Sequence, residues 1–149
     1  MRQSPASVAS SPSVLLWRYS CDASLLGCRQ MRWALAQQLR LVALGEMERQ
    51  ALLLGITELV TNTVRHSAPS AVILRAMIWQ RAEQLWLEIL DDGGPFDPIL
   101  HGLLAQRITA PSRGMRDQGY GLLLVASLLP ALSYQRLADT NCYRLLLAA

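Results

Sequence analysis

The sequence predicts one domain of the mixed α/β class, on three observations. Strand-like and helix-like segments follow one another in the order β-α-α-β-β-lid-α-β-β, without the alternation of strands and helices that a Rossmann fold requires. The 149 residues are enough for a hydrophobic core, and 52% of them are hydrophobic against 17% charged. One glycine-rich segment directly follows a predicted strand, and another directly precedes a predicted helix.

Composition argues against several classes of function. All 14 basic residues are arginine and they are scattered along the chain, so the net charge of +3 does not predict a nucleic-acid-binding surface. No apolar run reaches the roughly 18 residues that span a bilayer, and residues 1–13 have no signal-peptide core. We therefore expect a cytoplasmic protein without a membrane segment. We also expect a mobile tail at residues 1–13 and one folded domain at residues 14–149.

Cysteine and histidine usage does not predict a zinc site. Cys21, Cys28 and Cys142 are odd in number and lack CxxC spacing, and His66 and His101 are the only histidines. Reduced thiols are therefore the expected state of the cysteines.

The first half of the chain predicts one strand followed by two helices. Residues 14–19 are apolar and aromatic, as in a strand. Asp22 or Ser24 then caps a helix that runs towards Leu44. A second helix covers about residues 46–66, and its stripe of leucine, isoleucine and valine indicates that it packs into the core.

The second half predicts two hairpins, with a glycine-rich turn, a lid and a third helix between them. Two β-like runs joined by three residues form the first hairpin, and the sequence DDGGPFDP after it excludes regular structure. The long irregular segment that comes next is typical of either a functional lid or a disordered segment. The predicted ranges are residues 71–80 and 84–90 for the first hairpin, 91–98 for the turn, 99–118 for the lid, 117–129 for the helix, and 132–137 and 142–147 for the second hairpin, around a turn at 138–141.

A polar seam runs along the second helix. Glu58, Asn62 and His66 stand four residues apart, so their side chains lie on one helical face. A carboxylate and a carboxamide one turn apart suit a site where a general base and a metal ligand converge, although a solvated helix face would show the same pair. For His66, capping or packing at the helix end is the favoured interpretation.

Two glycine motifs carry little meaning when each is taken alone. Asp91-x-Gly93 follows a strand and would fit an ordinary turn. Gly119-x-Gly121 precedes an apolar helix and would fit a helix-entry turn. However, free backbone N–H groups at the start of a helix also favour a phosphate.

Taken together and in this order, the seam and the two glycine motifs resemble the N, G1 and G2 boxes of the GHKL superfamily, to which gyrase B, histidine kinases and MutL belong. ELVTNTVRHS resembles the N box, DDGGPFDP the first glycine box and GYGLLLVASLL the second. Within the superfamily the chain looks most like the anti-sigma-factor serine kinases of the RsbW and SpoIIAB type. The resemblance implies a Bergerat-type ATP-binding fold, with helices on one face of a mixed, mostly antiparallel sheet.

The resemblance also implies roles for the motif residues. Glu58 would be the general base, and Asn62 would coordinate the Mg²⁺ that bridges the ATP phosphates. Asp91 would accept a hydrogen bond from the adenine amino group, and Gly93 would let the backbone pass close to the purine.

Residues around the lid would complete the implied site. Gly119 and Gly121 would lie along the phosphates. Arg113 and Arg116 in the lid would offset charge on the transferred phosphoryl group, although a solvent-facing lid charge is the alternative for both.

Two positions depart from the pattern of the family. Pro95 stands where many relatives have a second glycine in the first glycine box. Leu146 stands in the last strand, roughly where relatives often place a threonine near the adenine. If Leu146 occupies that position, one polar contact to the nucleotide is missing.

The function implied is that of a partner-switching serine/threonine kinase and anti-sigma factor. It would phosphorylate an STAS-domain antagonist protein, sequester a sigma factor or equivalent target, and form a homodimer. Two alternatives remain open at this stage: a catalytically silent, nucleotide-gated adaptor, and an ATPase or detached domain of the histidine-kinase kind. Retention of both Glu58 and Asn62 argues against the silent adaptor.

Overall fold

The structure, a computed structural model, describes residues 11–67, 73–95 and 119–148 of the chain. The described elements follow the predicted order of one strand, two helices, a hairpin, a helix and a second hairpin. They are β1 (Ser13–Asp22), α1 (Leu25–Leu39), α2 (Glu46–Ser67), β2 (Ile73–Arg81), β3 (Gln84–Asp91), α3 (Gly119–Leu128), β4 (Ser133–Leu137) and β5 (Thr140–Ala148).

The five strands form one sheet in the order β1-β2-β3-β5-β4. Every pair of neighbouring strands is antiparallel, so the α/β class is confirmed and the described sheet is antiparallel throughout rather than mixed. The last strand, β5, lies between β3 and β4. This order places Asp91, at the end of β3, directly across from Asn141 near the start of β5.

Helix α1 begins at a side-chain cap and ends earlier than the sequence predicts. Ser24 has extended backbone angles, and its hydroxyl accepts a hydrogen bond of 3.0 Å from the Gly27 N–H. The helix ends at Leu39 rather than at Leu44. The guanidinium of Arg49 on α2 donates to the Leu39 carbonyl oxygen at 3.2 Å and so satisfies an acceptor that the helix end leaves free. It also donates to the Leu44 carbonyl oxygen at 3.0 Å, in the loop between the two helices.

One hydrophobic core lies between the helices and one face of the sheet. Alternate residues of each strand point towards the helices, as the two-residue period of a strand requires. None of the described helices combines the length and hydrophobicity needed to cross a bilayer. The most deeply buried core side chains include Met31, Leu35 and Leu39 of α1, Leu59 and Val60 of α2, Leu74 and Ala76 of β2, Leu87 and Ile89 of β3, Val125 of α3 and Tyr143 of β5.

The start of α1 packs directly on the end of β1. A Cβ atom added at Gly27 would lie 2.0 Å from the backbone carbonyl oxygen of Asp22. Two backbone segments cannot make room as a flexible side chain can, so only glycine fits here.

We expect Gly27→Ala to lower the free energy of unfolding by about 1–3 kcal/mol or more, because the added methyl group collides with backbone. Gly45→Ala is the matched control, since the nearest atom to its added Cβ is 4.0 Å away. Its effect should stay within about 0.5 kcal/mol. Urea denaturation followed by circular dichroism measures both. Equal effects of the two substitutions would contradict the packing described for Gly27.

Candidate functional site

A buried carboxylate lies at the end of β3. Asp91 is 2% exposed. Its Oδ1 accepts hydrogen bonds from the Gly93 N–H at 2.9 Å and from the Asn141 side-chain nitrogen at 2.8 Å. The other oxygen, Oδ2, is also buried and has no hydrogen-bond partner within the described ranges. One oxygen of the carboxylate is therefore fixed by the protein, and the other is available to a ligand that brings a donor.

Asn141 holds this carboxylate in place. Its side chain is 0% exposed, and its Nδ2 donates both to Asp91 Oδ1 and to the Gly94 carbonyl oxygen, each at 2.8 Å. Its Oδ1 accepts from the Tyr134 hydroxyl at 2.7 Å and from Arg136 Nη1 at 3.1 Å. A carboxamide has two donor hydrogens and two acceptor lone pairs. All four are used here, so Asn141 positions Asp91 and has no capacity left for a ligand.

Arg136 of β4 fastens the glycine turn to the second hairpin. Its Nη1 donates to the Gly93 carbonyl oxygen at 2.6 Å, and its Nε donates to the Ala138 carbonyl oxygen at 3.1 Å. The turn after β3 is thus held by donors from β4 and β5, and its backbone is fixed relative to Asp91.

Burial sets the protonation of the carboxylate. Desolvation raises the pKa of Asp91, and the hydrogen bonds from Asn141 and Gly93 oppose this rise without cancelling it. A carboxylate that is costly to ionise in the folded protein gains from a ligand that donates a hydrogen bond to it.

A tyrosine connects this corner of the sheet to α2. Tyr143 of β5 is buried and lies close to the Thr63 side chain of α2, whose hydroxyl donates to the Leu59 carbonyl oxygen at 3.2 Å. Burial raises the pKa of Tyr143 far above its ordinary value, and the negative charge of Asp91 raises it further. Because Thr63 follows Asn62 directly, this contact places the polar seam of α2 beside the same corner of the sheet.

The polar seam approaches α3 at a glycine. Glu58 and Asn62 are half-buried, one turn apart on α2. A Cβ atom added at Gly121 would lie 3.1 Å from Glu58 Oε2, so the missing side chain leaves room for the carboxylate beside α3. The structure therefore brings Glu58 and Gly121 together, as the motif order predicts.

The two glycines of the third motif lie inside α3 rather than ahead of it. The helix begins at Gly119, so Gly119 and Gly121 both belong to its first turn. The first four N–H groups of a helix have no partner within the helix. The glycines therefore still lie where backbone donors are free for an anion.

The expectation for Leu146 is wrong. Leu146 lies across from Trp86, five residues along β5 from Asn141, which corresponds to about 16 Å. An odd separation along a strand also puts it on the opposite face from Asp91. The polar residue across from Asp91 is Asn141, which the sequence analysis assigned to the hairpin turn instead of the strand.

Some expectations fall outside the described residues. The predicted lid at residues 99–118, which contains Arg113 and Arg116, lies outside them. Most of the predicted tail at residues 1–13 and the side chain of His66 also lie outside them. The sequence analysis also missed two site residues, Asn141 and Arg136. A polar residue just before an apolar strand was the only signal for Asn141, and it acquires meaning only when β5 is known to pair with β3.

Cysteine chemistry is not part of the site. All three cysteines are free, as expected for reduced thiols. Burial raises the pKa of Cys21 and of Cys142 to about 11, so neither is a thiolate nucleophile at neutral pH. Within the described ranges, no group of three or more histidine, cysteine, aspartate or glutamate side chains could hold a metal ion.

The family follows from comparison with known proteins. Residues 22–147 match the model of the histidine kinase-like ATPase domain. The chain belongs to the histidine kinase-like ATPase domain family. The predicted superfamily is thereby confirmed, and nucleotide binding is the coarse function that this family implies. No curated protein sequence matches the chain.

Solved structures support the fold of this ATPase-family domain. A structure of the RsbU and RsbW domains of a Mycobacterium tuberculosis protein is 15% identical, with a TM-score of 0.56, over 91% of this chain and 32% of that one. The chain thus spans about a third of the length of that relative. The structure of the SiaB–SiaC complex from Pseudomonas aeruginosa is also 15% identical, with a TM-score of 0.55, over 89% and 90% of the two chains. At this identity the likeness shows the fold.

We expect Asn141→Ala to lower the free energy of unfolding of this ATPase-family domain by about 2–4 kcal/mol, because it removes four hydrogen bonds at a fully buried position. Tyr134→Phe removes one of the four and should cost about 1 kcal/mol. Urea denaturation compares the two variants. Similar losses for both would show that Asn141 is not the centre of the network.

The raised pKa of Asp91 predicts a pH dependence. Because the folded protein keeps the Asp91 proton to higher pH than the unfolded chain, the stability due to that proton is present at low pH. It is lost as pH rises from about 3.9, the unfolded value, through the folded pKa. The free energy of unfolding of the wild type should therefore fall relative to Asp91→Asn over this interval. Parallel pH curves for the two proteins would contradict this.

Proposed function

We propose that the chain is a partner-switching serine/threonine kinase. It binds ATP with Mg²⁺, phosphorylates an STAS-domain antagonist protein, and in its unoccupied state sequesters a sigma factor or an equivalent regulatory target. The observation that carries the proposal is Asp91, a buried carboxylate with one oxygen held by Asn141 and the other without a donor. Membership in an ATPase-domain family supports it.

The free oxygen of Asp91 suits the adenine amino group. An exocyclic amino group donates hydrogen bonds, and Oδ2 is a buried acceptor that lacks one. The Gly93 turn stays rigid while the base binds, because Asp91 and Arg136 hold its N–H and carbonyl. A base that presents a carbonyl oxygen at this position would face a carboxylate with no donor between them.

The polar seam of α2 would bind the phosphate end of the nucleotide, where the transfer takes place. Asn62 and Glu58 offer oxygen atoms one turn apart, and oxygen is the ligand that Mg²⁺ prefers, often with several waters retained. Asn62 would hold Mg²⁺, which when bound neutralises phosphate charge. Free N–H groups in the first turn of α3, at Gly119 and Gly121, would lie along the phosphates. The lid arginines Arg113 and Arg116 belong to the proposal as further phosphate partners.

Glu58 would act as the general base of the transfer. It accepts the proton of the incoming serine or threonine hydroxyl while that oxygen forms a bond to the γ-phosphorus. The bond between the γ-phosphorus and its bridging oxygen breaks, and ADP leaves with the electron pair. Gly121 leaves the Glu58 carboxylate room beside α3.

Phosphorylation then works as a switch. The added phosphate carries about −1.5 to −2 charges, which disfavours rebinding of the antagonist and leaves the kinase free for its other target. Similar folds occur in a protein with RsbU and RsbW domains and in the SiaB–SiaC complex, and this favours a protein partner. The proposal includes a cytoplasmic homodimer.

Glu58→Gln should keep nucleotide affinity and lower the transfer rate by about 10²–10⁴-fold, because only the base is lost. Thr57→Ser, which changes the neighbouring residue and keeps its hydroxyl, is the control. The measurement is transfer of label from γ-labelled ATP to an STAS-domain protein. An undiminished rate in Glu58→Gln would remove Glu58 from the reaction.

Asn62→Ala should weaken Mg-ATP binding itself by about tenfold or more, because a polar partner of a charged ligand is lost. Isothermal titration with ATP, with and without Mg²⁺, measures this. The variant should lose ATP affinity only in the titration with Mg²⁺. Equal ATP affinities of wild type and variant in that titration would exclude Asn62 from the metal site.

Acid treatment of the labelled product separates the proposal from its alternatives. Phosphoserine and phosphothreonine survive acid, whereas phosphohistidine does not. An acid-stable product confirms the kinase, and an acid-labile one shows a histidine-kinase-like domain. ATP binding without any transfer shows the silent adaptor.

A further inference from the structure

One face of the sheet lies outside the core. The buried core of the described residues sits entirely between the helices and the other face. Apart from the buried Cys142, the outward-pointing apolar side chains of the strands are half-buried or exposed rather than enclosed. We call this surface the open face; its strand residues include Leu15, Met77, Trp79, Trp86, Leu90 and Leu146 together with Arg18, Asp22, Arg75, Arg81, Glu88 and Arg144.

The open face contains a groove of about 360 Å³. Two indole rings lie side by side in it, because Trp79 and Trp86 are directly across from each other on β2 and β3. The Trp79 Nε1 is buried and has no acceptor within the described ranges. A volume of this size is within the range of ligand-binding sites. The residues that line the groove are Ser13, Trp79, Arg81, Trp86, Glu88 and Arg144.

The charge of the open face is positive. Four arginines stand against Asp22 and Glu88 among its strand residues, a net charge of +2. Glu88 is already paired with Arg144 at 2.7 Å. Arg81 donates its Nε to the Ser13 hydroxyl at 3.0 Å, which leaves its two terminal nitrogens for an acceptor. Guanidinium groups bind carboxylates in a bidentate manner.

We propose that the open face is a docking surface for a partner protein that presents carboxylate side chains among apolar ones. The indoles and aliphatic side chains would bind the apolar part, and the arginines would bind the carboxylates. The proposal does not rest on the nucleotide site, because Asp91 and Glu58 lie on the helix side of the sheet. Both could therefore be occupied together.

Charge disfavours the two occupants that the chain itself could supply. A second copy packed face to face would bring two surfaces of net charge +2 together, and like charges across an interface oppose association. Residues 1–12, which precede β1, contain Arg2 as their only charged residue. That segment supplies no carboxylate.

Two synthetic helical peptides test the proposal. Both carry the same leucine stripe and contain no tryptophan; one has glutamate and the other lysine at every charged position. Titration into the full chain is followed by the protein's tryptophan fluorescence. We expect the acidic peptide to bind and the basic one not to bind, with affinity falling as salt rises. Equal binding of both peptides, or binding of neither, overturns the proposal.

Matched variants locate the site. Arg81→Glu should weaken binding of the acidic peptide by about tenfold or more, whereas Arg29→Glu makes the same charge change at an exposed position on α1 and should not. Trp86→Ala should lose binding, whereas Trp33→Ala should keep it, because Trp33 is 69% exposed on α1. Equal losses within either pair overturn the proposal. Circular dichroism confirms that each variant is folded.

The oligomeric state tests whether a second copy of the chain, rather than a partner protein, occupies the open face. Sedimentation velocity is run on the wild type and on Trp86→Ala and Arg81→Glu. Unchanged mass in both variants supports a partner protein on the open face. If the wild type is a dimer that either variant dissociates while Trp33→Ala does not, the occupant is a second copy and the proposal is wrong.

Discussion

Burial of the Asp91 carboxylate is the constraint on which the site depends. An ionised group taken out of water is costly unless polar partners replace the lost hydration. Here two donors reach one oxygen, from Gly93 in the turn and from Asn141 in β5. Those contacts define the position of the turn, the pairing of β3 with β5, and the oxygen that stays available. A ligand that donates a hydrogen bond to Oδ2 would replace the lost hydration of the carboxylate. The same contact would therefore add binding affinity and fix the position of the ligand.

Asn141 transmits this constraint to the edge of the sheet. Because its carboxamide is saturated, a change at Tyr134 or Arg136 acts on Asp91 through Asn141 and not through direct contact with a ligand. The sheet order is essential to the arrangement, since β4 reaches the turn after β3 only by pairing with β5. On the other side, the buried Tyr143 lies close to Thr63, so the polar seam of α2 lies beside the Asp91 corner of the sheet.

The two faces of the sheet differ in physical character. The helix side combines a closely packed apolar core with a few buried polar groups at one corner, which suits recognition of a small ligand. The open face combines half-buried tryptophan and aliphatic side chains with an excess of arginine, which suits a protein surface of opposite charge. In the proposed function, such a division would let a nucleotide and a partner protein occupy the same domain without competing for the same atoms.

Sequence alone determined the local features. Helix periodicity, the Ser24 cap, the hairpins and the three motifs depend on neighbours within a few residues, and their order predicted the fold class that the structure shows. Which strands pair across long separations was decided only by the tertiary structure. The placement of β5 beside β3 made Asn141 the partner of Asp91 and removed Leu146 from the site. A register between distant strands depends on the packing of the whole core, which no local pattern encodes.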